Sequence, residues 1–157
     1  MLIEKENVWD FPRPAICEVF AGSLEVEVSG HVLAKTGNGF RSLETSHPPS
    51  YYIPPKDISM EFLSTNHRVT LCEWKGRASY FDLKLGDKII TDVAWTYTNP
   101  TPAFKKIKGY LSFYASKVDT CYVNGEKVLA QEGDFYGGWI TNNLVGPFKG
   151  AKGTAGW

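Results

Sequence analysis

The chain has little of what the commonest binding chemistries require. Only three cysteines occur in 157 residues, Cys17, Cys72 and Cys121, far apart and without a CxxC pair. That excludes a disulfide-dense scaffold and argues against a structural zinc site, whose ligands come in close pairs. The three histidines, His31, His47 and His67, form no close pair either, so no metal is expected. No apolar run approaches the roughly 18 residues of a membrane span, and the opening MLIEKE lacks the apolar stretch of a signal peptide. Neither sign of charge is in excess, because 17 Lys and Arg balance 17 Asp and Glu. A protein that tracks a long phosphate backbone needs a basic surplus, so long nucleic acid is not an expected partner. A nucleotide needs only a local site and stays open. No GxGxxG follows a strand, and GxxxxGK[ST], GxSxG and HExxH are absent. With three free thiols and no leader, the expected location is a reducing cytoplasm.

What the chain has instead is aromatics, glycine and proline: five Trp, eight Tyr, nine Phe, 15 Gly and 9 Pro. Residues 24–28 (LEVEV) alternate, with Leu24, Val26 and Val28 on one face, which reads as a half-buried strand. Ser29–Gly30 turns it into a second strand at 31–35, and Phe40–Thr45 suits a third. Four prolines punctuate 47–55 (HPPSYYIPP), which makes that segment a rigid extended loop rather than a helix. Alternation continues at 58–62, 68–74 and 78–85. Val69 and Leu71 read as core, as do Phe81, Leu83 and Leu85, with Tyr80, Asp82 and Lys84 outward. Residues 88–90 and 93–97 are the next pairing segments.

The period changes at 99–108 (NPTPAFKKIK). Pro102 suits the first helical position behind a Thr101 cap, and Phe104 and Ile107 share a face, so a short helix is predicted over 102–108. Gly109 is a natural stop, and the strong β-formers of 110–114 favour a strand there over a long helix running to Val118. Asn124–Gly125 marks a hairpin within 119–129. One mainly antiparallel β domain follows, with a body at 23–130, an N-terminal Pro/aromatic arm at 1–22 and a Gly/aromatic tail at 131–157. The tail holds seven of the glycines together with Phe135, Tyr136, Trp139, Phe148 and Trp157. It therefore lies on a surface, either that of its own domain or that of a partner subunit, and a homodimer is the expected assembly.

Two segments concentrate functional side chains: 44–52 (ETSHPPSYY) and 72–76 (CEWKG). His47 on a proline-stiffened loop is the candidate for acid–base work, with Glu44 to orient it. Tyr51 and Tyr52 point in opposite directions if extended, one toward a pocket and one toward a core. Lys75, in a turn, suits a phosphate or carboxylate. Cys72 faces outward or into a second cavity. Trp95 and Tyr97 share a strand face and suit a flat ring or inter-sheet packing.

LETSHPPSYYIP at 43–54, CEWKGRASY at 72–80, VAWTY at 93–97 and GYLSFYASKVD at 109–119 resemble the DUF427 family, a domain of unknown function sometimes labelled nucleotidyltransferase-like. The arm WDFPRP and the tail YGGWI…GPFKG…GTAGW resemble its cyanobacterial branch. Between Cys72 and Lys75 the family usually has Pro–Tyr; here Glu73–Trp74 stands. The resemblance implies a β-tent, or Mss4-like, arrangement of small antiparallel sheets packed face to face. It also implies a pocket shared by Glu44, His47, Tyr51, Tyr52, Cys72, Lys75, Trp95 and Tyr97. Metal-binding members of that fold use paired CxxC knuckles, which this chain lacks, and no spacing unites Asp57, Glu61, Asp82 and Asp87 around Mg²⁺. Three functions are expected in turn. The first is a module binding a small polar or nucleotide-like ligand, without a cofactor. The second is an enzyme using His47 as general acid or base, in nucleotidyl or phosphoryl chemistry. The third is an interaction or oligomerisation module.

Overall fold

In the computed structural model, which describes residues 4–133 and 135–157, the chain starts with β1 (Glu6–Asn7) and a 3₁₀ turn at Val8–Asp10. It then forms β2 (Ile16–Phe20), β3 (Leu24–Val28), β4 (His31–Thr36), β5 (Gly39–Leu43) and β6 (Ser50–Tyr52). Three ten-residue strands follow, β7 (Leu63–Cys72), β8 (Gly76–Leu85) and β9 (Lys88–Tyr97). After the short helix come β10 (Leu111–Phe113), β11 (Thr120–Val123) and β12 (Glu126–Lys127). Three two-residue strands end the chain: β13 (Leu129–Ala130), β14 (Trp139–Ile140) and β15 (Leu144–Val145).

The fold is mainly β. Sheets of order β10-β9-β8-β7, β12-β11-β3-β4 and β2-β5-β6 are antiparallel throughout. The hairpins close where expected. Ser29–Gly30 and Asn124–Gly125 both take positive φ at two successive residues, the type I′ geometry whose twist matches the strands it joins. Leu24, Val26 and Val28 are fully buried, as the alternation predicts. They face Phe81, Leu83, Val93, Ala94, Leu111 and Phe113 of the other four-stranded sheet across one apolar core. Burial of this kind is the main stabilising term, at about 25 cal/mol per Å² of apolar surface.

Several expectations need correction. The helix is 3₁₀, over Pro102–Ile107, and the Thr101 hydroxyl donates to the Trp74 carbonyl at 2.6 Å instead of capping it. Phe104 and Ile107 are its buried face. Residues 60–62 are a 3₁₀ turn, not strand: the Ile58 N–H is turned back onto the Pro55 carbonyl and the Phe62 N–H onto Ser59. The proline-rich loop contains a strand, β6. Residues 88–90 and 93–97 belong to one strand, kinked at Asp92, whose φ is 54°.

The faces of β7 and β8 also differ. Val69 and Leu71 are 50% and 79% exposed. Tyr80, expected outward, is buried. The reason is a second cluster on the far side of β8 and β9, made of Tyr52, Ala78, Tyr80, Trp95, Tyr97, Phe104, Ile107 and Tyr114 with Cys72 and Trp74 packed against it. A strand between two cores buries both its faces, so alternation no longer tells inside from outside. The turn of register between Phe81 and Leu83 helps β8 serve both.

Arm and tail lie on the rest of the chain. β2 completes the β5–β6 sheet. β1 pairs in parallel with β15, and Arg41 grips Glu6 through two 2.9 Å bonds. Trp139 is fully buried against Tyr51, and its indole N–H donates to the Phe113 carbonyl at 2.9 Å. Trp9 donates to the Pro147 carbonyl and stands edge-on to Trp157. No helix among the described residues is long and apolar enough to cross a membrane.

Candidate functional site

The second cluster is hollow. Beside it lies a cavity of about 460 Å³. Its floor is the inner face of the β7–β9 sheet, with Thr70, Cys72, Tyr80, Trp95 and Tyr97. One wall is the 44–52 loop, and another is the Cys72–Gly76 turn carrying Lys75. Of the residues singled out from sequence, Glu44, His47, Tyr52, Cys72, Lys75, Trp95 and Tyr97 line this one space. Tyr51 does not. Its side chain enters the main core between Phe20 and Trp139, so the two adjacent tyrosines divide between core and cavity.

The loop is stiff because both extensions hold it. Thr45 donates its N–H to Pro12 and its hydroxyl to Phe11, and Ser46 donates its N–H to Val8. From the tail, Lys149 N–H donates to the Ser46 carbonyl and Trp139 N–H to that of Pro49, both at 2.8 Å. The tail can lie this close only because two positions lack side chains. A Cβ on Gly137 would overlap the Trp95 indole, and one on Gly138 would come within 2.7 Å of Gln131 Oε1 and of the Pro48 ring.

Sequence reasoning missed Gln131, whose amide holds His47. The Gly138 N–H donates to Gln131 Oε1 at 3.0 Å, which identifies that atom as the acceptor oxygen. The Gln131 amino group donates to the Lys149 carbonyl at 2.8 Å and points its other hydrogen at His47 Nδ1, 3.1 Å away. Nδ1 must therefore accept, and the neutral ring carries its proton on Nε2. Burial lowers the His47 pKa to about 4, and the nearby cations Lys149, Lys75 and Arg13 push the same way against Glu44. His47 is thus neutral at pH 7.

Glu44, the candidate orienting group, stands beside His47 without a hydrogen bond to it. Its Oε2 lies 3.7 Å from His47 Nε2, beyond hydrogen-bond reach, and beside a neutral ring it forms no ion pair. Lys75 is only 9% exposed. Its ammonium stands 5.6 Å from the centre of the Phe104 ring and has no hydrogen-bond or ion-pair partner among the described residues. The Tyr52 hydroxyl is buried beside Ser42 and Trp95 and makes no well-formed hydrogen bond among the described residues. Burial raises the pKa of Tyr52, Tyr97 and Tyr114 well above the usual tyrosine range, so all three hydroxyls stay protonated. Thr70 and Tyr80 share a hydroxyl–hydroxyl bond of 2.9 Å, and the Tyr114 hydroxyl donates to the Phe135 carbonyl at 2.8 Å. Tyr136 stands edge-to-face with His47, ring centres 4.7 Å apart, with the Lys149 ammonium 5.2 Å from its centre. No group of three or more His, Cys, Asp or Glu suited to a metal ion occurs among the described residues.

The model of a domain of unknown function, DUF427, matches residues 16–124, more than half of the chain. The chain belongs to the DUF427 family. Among curated proteins none matches it. The DUF427 match ends at Asn124 and begins after Arg13. It therefore contains the cavity floor, the loop and the Lys75 turn, while Arg13, Gln131, Tyr136 and Lys149 come from outside it. Only the clustering of glycine and aromatics after residue 132 signalled that the tail had a surface to cover. Nothing in it signalled Gln131.

Proposed function

We propose that the cavity binds a small molecule carrying an anionic group and a flat polar portion, in the range of nucleotides and acidic metabolites. One observation carries the reading: a single cavity is lined by an ammonium and a carboxylate (Lys75 and Glu44) that have no hydrogen-bond partner among the described residues. Charged groups held in a partly enclosed space lose part of their hydration without gaining a protein partner. A ligand with complementary groups satisfies both. The aromatic walls, Trp95 and Tyr136 among them, suit a planar ring. Three cations, Arg13, Lys75 and Lys149, against Glu44 and Glu73 favour an anion overall.

Binding is preferred to acid–base catalysis for a physical reason. With Nδ1 occupied by Gln131, the atom left to meet a ligand is Nε2–H, a donor rather than a base. The tail covers its own chain, with Trp139 fully buried, which weakens the motive for a purely interacting tail. Calorimetric titration of the full chain with a panel of nucleotides and acidic metabolites tests the reading. Saturable binding is expected, weakened about tenfold or more in Lys75→Met, the loss typical of one hydrogen bond to a charged group. No saturable binding by any of them overturns it.

A further inference from the structure

The gap between Glu44 and His47 has a chemical meaning of its own. Glu44 Oε2 accepts, His47 Nε2–H donates, and they stand side by side at 3.7 Å. Neither has another side-chain or backbone partner among the described residues, and both line the cavity. Such a pair complements a group in which an N–H and an acceptor atom flank one carbon. In a cyclic amide these two atoms are about 2.2 Å apart, from ordinary C=O and C–N bond lengths and trigonal angles. Two bonds of about 2.9 Å to partners 3.7 Å apart then need to splay by roughly 15° each, within the angular range of good hydrogen bonds. A carboxylate or phosphate has no N–H to offer Glu44 and would be repelled by it. An isolated amine has no acceptor for Nε2–H. Tyr136, edge-to-face with His47, and Trp95 flank the same space with ring surfaces.

We infer that Glu44 and His47 together read the N–H/acceptor edge of a flat heterocycle, a cyclic amide or amidine of the kind nucleobases present, while Lys75 receives the anionic substituent of the same molecule. Gln131 is the positioning residue: by donating to Nδ1 it keeps the proton on Nε2, where the edge needs a donor. The inference rests on the binding reading above and narrows its ligand class.

The test compares ligands that differ only at the edge, with the unaltered full chain. Uridine monophosphate is titrated beside its N3-methyl derivative, adenosine monophosphate beside its N6,N6-dimethyl derivative, and ribose 5-phosphate alone. At least one parent nucleotide is expected to bind, its methylated partner about 10- to 100-fold more weakly, the loss of one hydrogen bond to a charged group. Ribose 5-phosphate is expected to bind no better than the blocked analogues. Glu44→Leu should remove the discrimination between parent and methylated ligand. His47→Gln, which still offers an N–H, should retain more affinity than His47→Leu. If parent and blocked nucleotides bind within twofold of each other while Lys75→Met still weakens both, the edge inference falls and the binding reading stands. The inference falls in the same way if acidic metabolites bind but no nucleotide does. If none of these ligands binds, both fall.

Discussion

The sheet of β7, β8 and β9 separates two clusters that are built differently. On one side, Leu24, Val26, Val28, Leu83, Val93 and Leu111 make a mostly aliphatic core, joined by Phe81, Phe113, Tyr51 and Trp139, whose indole N–H is paired with the Phe113 carbonyl. On the other, Tyr52, Tyr80, Trp95, Tyr97 and Tyr114 bring four hydroxyls and an indole into a cluster that stops short of filling its space. Close packing accounts for the first. It does not account for the second, where phenylalanine would pack as well without the penalty of buried polar atoms. The first cluster holds the fold, and the second trades packing for a cavity whose polar groups are kept in place before anything enters it.

The contrast breaks most sharply on stability. Leu83 is fully buried in the main core. Leu83→Ala is expected to destabilise the protein by about 2–5 kcal/mol, the transfer term plus the cavity left behind. Lys75→Met, in the other cluster, is expected to leave stability unchanged or raise it, because the ammonium has no hydrogen-bond or ion-pair partner among the described residues to lose and the buried apolar stem is kept at similar length. Urea unfolding of both variants, read as midpoint shifts at constant slope, makes the comparison. If Lys75→Met costs as much as Leu83→Ala, the two regions are energetically alike and the division is wrong.

A second prediction sharpens the comparison through pH. His47 has a folded-state pKa near 4, below the ordinary value of 6.5 that the unfolded chain would show. On acidification the unfolded state binds the proton first. The stability associated with neutral His47 is therefore complete above about pH 6.5 and is lost as pH falls toward 4. Between pH 7 and 4.5 the loss is on the order of 2 kcal/mol. The His47→Gln variant should lack this part of the slope. Superimposable pH–stability curves for the two proteins would mean that His47 titrates alike in the folded and unfolded chain, and the lowered folded-state pKa would be wrong.

Much of this architecture is legible in sequence, and the failures share causes. LEVEV and the Asn124–Gly125 turn read correctly because each depends on neighbours in sequence: a period of two with one buried face, and a backbone conformation that Asn and Gly tolerate. The 44–52 loop and the Lys75 turn drew notice because unlike polar groups cluster beside proline and glycine. Alternation sorts Val69, Leu71 and Tyr80 onto the right faces but gives those faces the wrong burial, because it assumes a single core. Residues 60–62 alternate in hydropathy too, yet prolines at 54 and 55 start a series of tight local turns that a strand pattern does not anticipate. Gln131 has no local signature at all. Its role depends on an acceptor oxygen fixed by Gly138 and on a histidine 84 residues earlier in the chain, and only the folded tail brings these together.

The smallest expected effect is the most discriminating. Tyr52 is fully buried, and its hydroxyl has no hydrogen-bond partner among the described residues. In a core packed for stability such an atom is a defect. Tyr52→Phe removes one oxygen and keeps the ring against Tyr97, 6.4 Å between centres. Stability is therefore expected to hold within about 0.5 kcal/mol or to rise, since an unpaired buried polar group carries a penalty of about 1–3 kcal/mol that the variant escapes. The same change should weaken any ligand that uses the hydroxyl, by several-fold for a neutral hydrogen bond. Loss of affinity without loss of stability identifies the hydroxyl as kept for a ligand. Loss of stability above 1 kcal/mol, with binding unchanged, would show that the hydroxyl is paired within the fold and that this cluster is an ordinary core after all.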